Sequence, residues 1–237
     1  MVRQLLDSQQ QRSLLISGAD MLGLRLEAGA AEDLLAYLAE LIRWGRKMNL
    51  VGRSMSAEQI IENHFLDSLT LLPLLEMDKV VTPHLLDVGS GAGFPGLVCK
   101  AVMRDMGLTI VEPRLKRVSF LRHIVRTLRL DAVRIMACRI EDESLADSEM
   151  QFSHITGRAV TELSDFLPMV APFIRPGVQV ICMKGPKWRQ ELDRAEEVMA
   201  VMSLGLSKKL HFNLPYSEAE RTLLVFETIA TKAGNKE

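Results

Sequence analysis

The stretch of this chain best suited to hold a ligand is Asp87-Val88-Gly89-Ser90-Gly91-Ala92-Gly93-Phe94-Pro95-Gly96. Glycines here permit positive φ and let a ligand approach the backbone closely. The first N–H groups of a following helix would face that ligand, and Pro95 fits the helix's first turn. Gly91, Gly93 and Gly96 satisfy the GxGxxG spacing literally, so a nicotinamide or flavin enzyme is a rival reading. Two features oppose it. Measured from the preceding apolar run, the first glycine is Gly89, and the motif's third glycine falls on Phe94. Asp87 stands directly before the loop, where a carboxylate repels a pyrophosphate. S-adenosylmethionine has no phosphate and carries an ammonium and a sulfonium, so an acidic strand end suits it.

Other residues group around the same chemistry. Glu112 lies at the end of the next apolar run, about twenty residues beyond the loop, the interval at which an acid accepts from both ribose hydroxyls. Its alternative is a carboxylate favoured at a helix start. Cys138-Arg139-Ile140-Glu141-Asp142 follows a third apolar run and would border an adenine, with Ile140 packing on the base and Glu141 or Asp142 accepting from its amino group. A solvated acidic turn reads equally well. Arg158 follows a fourth run and suits a ligand carboxylate, a phosphate or a rim salt bridge. His64, Asp67 and Ser68 share one helical face and superficially suggest a hydrolase triad, but crowding onto a single turn opposes nucleophilic catalysis. A substrate-facing cluster and a packed helix with a satisfied histidine both remain open.

Basic residues mark possible phosphate contacts. Arg114, Lys116, Arg117, Arg122, Arg126 and Arg129 occur with no acid between positions 114 and 130, and helical spacing spreads them over a broad cationic face. Arg43, Arg46, Lys47 and Arg53 form a second group, and Lys184 with Lys187 and Arg189 a third. A solvated surface is the plain alternative. Only 5% of the residues are aromatic, which argues against base stacking in the manner of single-strand binders.

The elements that must position these groups fall into two parts. Before residue 80, Leu34, Leu38, Leu41 and Ile42, and then Ile60, Ile61, Phe65, Leu69 and Leu72, recur at helical spacing, with Pro73 near the end of the second set. This predicts a helical cap over 1–80. From His84 short apolar runs alternate with helical stretches. Strands are expected at 85–88, 108–111, 133–138, 152–156 and 178–183, with helices near 95–104, 114–129, 161–174 and 187–203. That alternation implies an α/β fold with a parallel sheet covered on both faces over 81–237. Segments 208–213 and 222–229 have no helix between them and predict a terminal antiparallel hairpin around Pro215.

Bulk properties set the outer limits. The 237 residues are 48% hydrophobic and 25% charged, which is ample for a full core. The formal net charge of −1 confines any nucleic-acid contact to a local patch. Cys99, Cys138 and Cys182 form no CxxC pair and read as reduced thiols, with no metal site expected. The N-terminus shows no signal h-region and no apolar run reaches bilayer length, so a cytoplasmic protein without membrane contact is expected. Nothing in the sequence demands more than a monomer.

Taken together, Asn49-Leu50, His64-Phe65-Leu66-Asp67-Ser68-Leu69, Asp87 to Gly96, Lys116-Arg117 with Phe120-Leu121, Arg139-Ile140-Glu141, Arg158-Ala159 with Leu163, and Met183-Lys184-Gly185 resemble one family. It is ribosomal RNA small subunit methyltransferase G, also called glucose-inhibited division protein B. The resemblance covers roughly residues 40–190. It implies a Rossmann-like class I S-adenosylmethionine-dependent methyltransferase sheet under an N-terminal helical cap. It implies methyl transfer to guanine N7 of 16S ribosomal RNA, free or in a small-subunit particle. It places the cofactor against Gly89, Phe94, Ile140, Glu141 and Arg158, beside the loop residue Gly91 and Glu112. Asp67 is then a candidate to stabilise the cationic product ring, with His64 beside it, and Arg117, Arg122, Arg126 and Lys184 are candidate RNA contacts. Two positions depart from the family pattern: Val51-Gly52 stands where Thr-Ser is usual, and Gly157 replaces the usual Ser before Arg-Ala. A nicotinamide-dependent oxidoreductase and a non-catalytic RNA-binding assembly protein are the competing functions.

Overall fold

The computed structural model of the protein describes residues 8–52, 54–76, 82–142 and 150–229. Arg53 and the expected division at 80/81 lie outside the described residues. The chain opens with helices α1 (Ser8–Met21) and α2 (Ala28–Gly45). Helix α3 (Ala57–Ile60) is started by a capping box in which Ser56 and Gln59 satisfy each other's backbone N–H groups. It runs into a π-helical segment (Ile61–Leu66) and the short helices α4 (Asp67–Leu69) and α5 (Leu72–Leu75). The sequence pattern suggests one continuous helix here. Its apolar positions are buried as expected, but the backbone widens to the π form across the residues that carry His64.

Alternation follows: β1 (His84–Val88), α6 (Gly96–Val102), β2 (Gly107–Val111), α7 (Leu115–Thr127), β3 (Val133–Met136), β4 (His154–Arg158), α8 (Leu163–Val170), β5 (Gln179–Lys184) and α9 (Trp188–Val201). The chain then closes with β6 (Leu204–Asn213) and β7 (Glu220–Thr228). β3 ends before Cys138, and β4 is shifted two residues later than expected, so Arg158 is the last residue of the strand rather than lying beyond it. The expected helix at 161–174 stops at Val170 and tightens into a 3-10 turn over Ala171–Phe173, where Pro172 has no N–H to continue it. β6 starts four residues earlier than its apolar pattern indicates.

The seven strands lie in the order β3-β2-β1-β4-β5-β7-β6. β1 to β5 are mutually parallel, and β7 enters antiparallel between β5 and β6. The chain leaves β1 toward β2 on one side and later returns to β4 on the other. The switch point therefore falls at the ends of β1 and β4, where open α/β sheets bind ligands.

Strand side chains alternate between two cores, as period two requires. Leu85, Leu108, Ile110, Ile181 and Val225 face the α1–α7 side, where Leu15, Leu34, Leu38, Leu41 and Phe65 join them in one contiguous core. Leu86, Val88, Val180, Cys182 and Leu224 face α8 and α9. The N-terminal helices thus share a core with the sheet. Tyr37, fully buried in α2, grips the glycine loop directly: its hydroxyl donates to the Ala92 carbonyl and its ring stacks on Phe94 at 5.8 Å.

Replacing Tyr37 with Phe keeps the stack and strands a buried carbonyl, a loss of about 1–3 kcal/mol. Thermal unfolding should fall by roughly 2–4 °C per kcal/mol. A melting temperature equal to the wild type would show that the helical layer does not anchor the loop.

Candidate cofactor site and its polar cluster

Asp87 is fully buried at the end of β1, and the loop is built around its carboxylate. Oδ2 accepts from the Ser90 hydroxyl at 2.5 Å and from the Gly96 N–H at 2.8 Å. A Cβ on Gly96 would lie 2.6 Å from that same oxygen, so only glycine fits there. Gly89, Gly91 and Gly93 adopt φ of 66°, 64° and 97°, the left-handed region that glycine enters without steric cost. A Cβ at Gly89 would press on Val160 at 3.1 Å, whereas at Gly91 the nearest atom is 3.7 Å away, on Arg117. Gly91 is therefore the loop glycine at which an added Cβ would meet only ordinary contacts.

Burial pushes the Asp87 carboxyl up to about 6, against the lowering effect of Ser90, Gly96 and the Arg158 charge. Oδ1 of the same carboxylate is buried and has no partner. An unpaired carboxylate oxygen at the switch point fits a cationic ligand group and opposes a phosphate. On the other side of the loop, Glu112 is 2% exposed. Its Oε2 accepts from Gly91 N–H at 3.0 Å and its Oε1 from Arg114 N–H at 2.9 Å. Arg117 lies 3.6 Å from it. Each oxygen still has a second lone pair for a ribose hydroxyl. Ile140 is buried in the second core near Val88 and Val111, and Glu141 is exposed beside it. The Phe94 ring is only 4% exposed and packs among Tyr37, His64 and Phe65, so its side chain belongs to the core beneath the loop.

A second cluster bridges the π-helical segment to the sheet. Arg158 donates through Nη1 to the Asn63 carbonyl at 2.7 Å and to Asp67 Oδ2 at 3.1 Å, and through Nη2 to His64 Nδ1 at 2.7 Å. Its guanidinium stands 5.2 Å from the centre of the Phe94 ring. Arg221, at the start of β7, places Nε 3.2 Å from Asp67 Oδ1. Burial raises the Asp67 carboxyl, and the two arginines oppose that rise.

The sequence suggests Asp67 as a source of negative charge for a cationic product. In the structure one carboxylate sits between two guanidiniums, so the cluster is net positive and Asp67 acts to hold Arg158. Ser68 is also turned away: its hydroxyl donates back to the His64 carbonyl at 2.5 Å, as serines in helices do. This removes the triad reading.

His64 has a defined tautomer. A guanidinium can only donate, so Nδ1 accepts and the ring proton sits on Nε2. Nε2 is buried without a partner. Burial and the Arg158 charge hold the imidazole down at about 3, leaving it neutral at physiological pH.

The basic residues divide. Arg122 and Arg126 are exposed on α7, along with Arg114, Lys116 and Arg129 at or beyond its ends. Glu40 of α2 pairs with Arg43 of the same helix and with His123 of α7, and Trp44 packs on Phe120 and His123, so the two segments read separately in the sequence adjoin, with the Arg43 charge paired at the junction. Arg117 is only 27% exposed and turns toward Glu112. Lys184 departs from the expected RNA contact. Its ammonium donates to Glu191 at 2.7 Å and to the Thr161 carbonyl at 3.1 Å, with 11% of the side chain exposed, so its charge is spent inside the protein. Sequence reasoning missed Tyr37, Asn63 and Arg221. Tyr37 carried a signal, as the lone phenol on an otherwise leucine-rich helix face; the other two carried none.

The depressed His64 fixes a sign. The folded state resists protonating this ring, so the stability it contributes is present above about pH 6.5 and is lost as pH falls toward about 3. Nitrogen NMR should show the Nε2–H tautomer unchanged from pH 8 to pH 5. A titration midpoint near the ordinary histidine value would contradict the buried Arg158–His64 contact.

Comparison with known proteins agrees with this geometry. A sequence model of the GidB family, rRNA small subunit methyltransferase G, matches residues 30–220. Ribosomal RNA small subunit methyltransferase G of Desulfotalea psychrophila is 47% identical over 208 residues, which is 88% of this chain and 94% of its own length. The protein of the same name from Geotalea uraniireducens is 34% identical over 224 residues, 94% of this chain and 99% of its own length. Among solved structures, TrmN from Thermus thermophilus superposes with a TM-score of 0.52 at 16% identity, covering 71% of this chain and 53% of that one. Ribosomal protein L11 methylase from Lactobacillus delbrueckii subsp. bulgaricus gives 0.51 at 17%, covering 69% and 79%. At such identities these two speak for the fold alone, that of the class I methyltransferases. With its family match spanning most of the sequence, the chain belongs to the ribosomal RNA small subunit methyltransferase G family.

Proposed function

We propose that this protein methylates guanine N7 in 16S RNA of the small ribosomal subunit, using S-adenosylmethionine. The observation that carries the chemistry is the unpaired Asp87 oxygen at the switch point of a methyltransferase fold. When bound, the cofactor supplies an electrophilic methyl on a positive sulfur. The buried Asp87 charge would favour its ammonium through the loop above it, Glu112 would accept from its ribose hydroxyls, and Ile140 with Glu141 would border its adenine. Gly89 and Gly91 give it room. Arg158 is the bridge between this site and the helical cap. In this reading residues 1–80 form the cap and 81–237 the methyltransferase unit.

Guanine N7 has an in-plane lone pair and no proton, so no base has to activate it. That matches a site in which the one nearby imidazole, His64, is neutral and held by Arg158. Catalysis is then mainly alignment of nucleophile, methyl and leaving sulfur, worth on the order of 7–11 kcal/mol. Arg158, Asp67 and Arg221 act as positioning residues. The surface of α2 and α7, with Arg122 and Arg126 exposed, receives RNA phosphates.

The nicotinamide reading loses its support to Asp87 and to the family. The reading as a non-catalytic assembly protein has no feature in its favour. Among the described residues no three His, Cys, Asp or Glu side chains cluster as a metal site, and no helix is long and apolar enough to cross a membrane. A monomer acting in the cytoplasm, on free RNA or an assembled particle, completes the proposal.

Small-subunit particles or their RNA, incubated with the protein and methyl-labelled cofactor, should yield labelled 7-methylguanosine. RNA from a strain lacking the gene should have lost one such residue. Label in any other nucleoside, or an unchanged modification map, refutes the assignment. Gly91→Val adds a branched side chain to the loop without displacing its packed neighbours and should weaken cofactor binding more than tenfold. Its positive φ costs about 1–2 kcal/mol of stability. Unaltered affinity would place the ligand elsewhere.

A further inference from the structure

A second group of basic residues lies across the sheet from α7. Lys187 and Arg189 stand at the start of α9, and Lys209 and His211 are exposed on the edge strand β6. Arg189, Lys209 and His211 converge on Trp188, and Lys187 is its chain neighbour. The Arg189 guanidinium is 4.7 Å and the Lys209 ammonium 4.9 Å from the Trp188 ring, and the His211 ring is 5.2 Å away. The indole itself is only 7% exposed, so it is a buried platform that fixes two cations at the surface.

Neither Arg189 nor Lys209 is paired with a carboxylate among the described residues. Lysines on an edge strand commonly serve to prevent strand pairing. That purpose accounts for a lysine on β6 but not for its standing over the Trp188 ring of α9, which also carries Arg189. Two like charges held together without a counter-ion form a surface whose energy falls when a polyanion arrives.

Register places this surface relative to the site. One row of paired residues crosses the sheet from Val88 through Gly157, Cys182 and Leu224 to Lys209. Val88 precedes the glycine loop, and Gly157 precedes Arg158. Lys209 is thus level with the site and three strands from β4, roughly 14 Å at the usual strand spacing. On the opposite side the row continues from Val88 to Val111, three residues before the Arg114 that precedes α7.

We propose that Lys187, Arg189, Lys209 and His211 form a second phosphate-binding surface, which takes the RNA backbone on the side of the reacting nucleotide opposite α7. The inference rests on the RNA-methyltransferase reading and adds that the substrate is held from both sides. A nucleotide that must present one base edge at the end of β4 needs its backbone fixed before and after that base. The two basic surfaces flank that position.

The test is the affinity of the whole protein for small-subunit RNA as a function of salt, in R189E/K209E and in the milder R189Q/K209Q. At about 0.1 M salt, where the Debye length is about 10 Å, affinity should fall at least tenfold in the Glu variant and less in the Gln variant. The log–log salt slope should shrink by about 1.4–1.8, the value for two lost phosphate contacts. Cofactor affinity and melting temperature should stay at wild-type values. RNA affinity and slope unchanged in both variants would overturn the proposal. R122E/R126E, measured alongside, separates the two levels: weakened binding there alone leaves the RNA reading standing without this surface. Absence of salt-dependent RNA binding by the wild type would remove both.

Discussion

Asp87 has no exposed surface, yet it carries a carboxylate that must ionise near neutral pH if the loop is to meet a cation. The protein keeps this ion by giving Oδ2 two donors, from Ser90 and Gly96, and by setting the Arg158 charge within reach. The compensation is incomplete, since burial still lifts the group to about 6. Its folded value therefore lies above its unfolded one. Stability from the protonated form is full below about pH 4 and is lost as pH rises through about 6, a cost of roughly 3 kcal/mol at neutrality. A fold that carries such a cost at the switch point of its sheet holds a group suited to a positive ligand. The missing Cβ of Gly96 follows from bringing the backbone that close to one carboxylate, and the three left-handed glycines turn the chain between β1 and that contact.

The same demand for fixed geometry explains how distant segments meet. Glu62 lies in the π-helical turn and Asp67 directly after it, and both are held by the C-terminal hairpin. Glu62 accepts the N–H groups of Tyr216 and Ser217 at 2.7 Å each, and Asp67 faces Arg221. Arg158 then locks the turn to the end of β4. His64 is thereby fixed in one orientation and one protonation state by residues from β4 and from the far end of the chain. The helical layer is more than a cover, because its Tyr37 holds the loop's backbone from beneath.

Much of this was legible in the sequence because local periodicity carries it. The change from helical spacing to alternating short runs at His84 reports a sheet with two covered faces, and the hydrophobic rows of each strand sort cleanly into two cores. The glycine loop with Asp87 before it and Glu112 after it is a local pattern as well. What failed to show was pairing between residues far apart. Lys184 looks like a free cation until Glu191 is seen beside it, and Asp67 looks like a free anion until Arg158 and Arg221 converge on it. Neither the π widening nor the joining of α2 to α7 through His123 has a short-range signature. Strand ends were misplaced by one to four residues because the terminal residues of a strand keep its apolar character into the turn, or lose it early at an exposed edge such as β6.

In the proposed reading, the loop leaving β1 is made for a sulfonium nucleoside and not for a diphosphate. Calorimetric titration of the wild type and of Asp87→Asn with S-adenosylmethionine and with NAD separates the two ligands and the role of the charge. One S-adenosylmethionine site per chain and no NAD site are expected, with at least tenfold weaker S-adenosylmethionine binding once the Asp87 charge is removed. Saturable NAD binding without any for S-adenosylmethionine, or an affinity for the sulfonium compound that Asp87→Asn leaves unchanged, would contradict it.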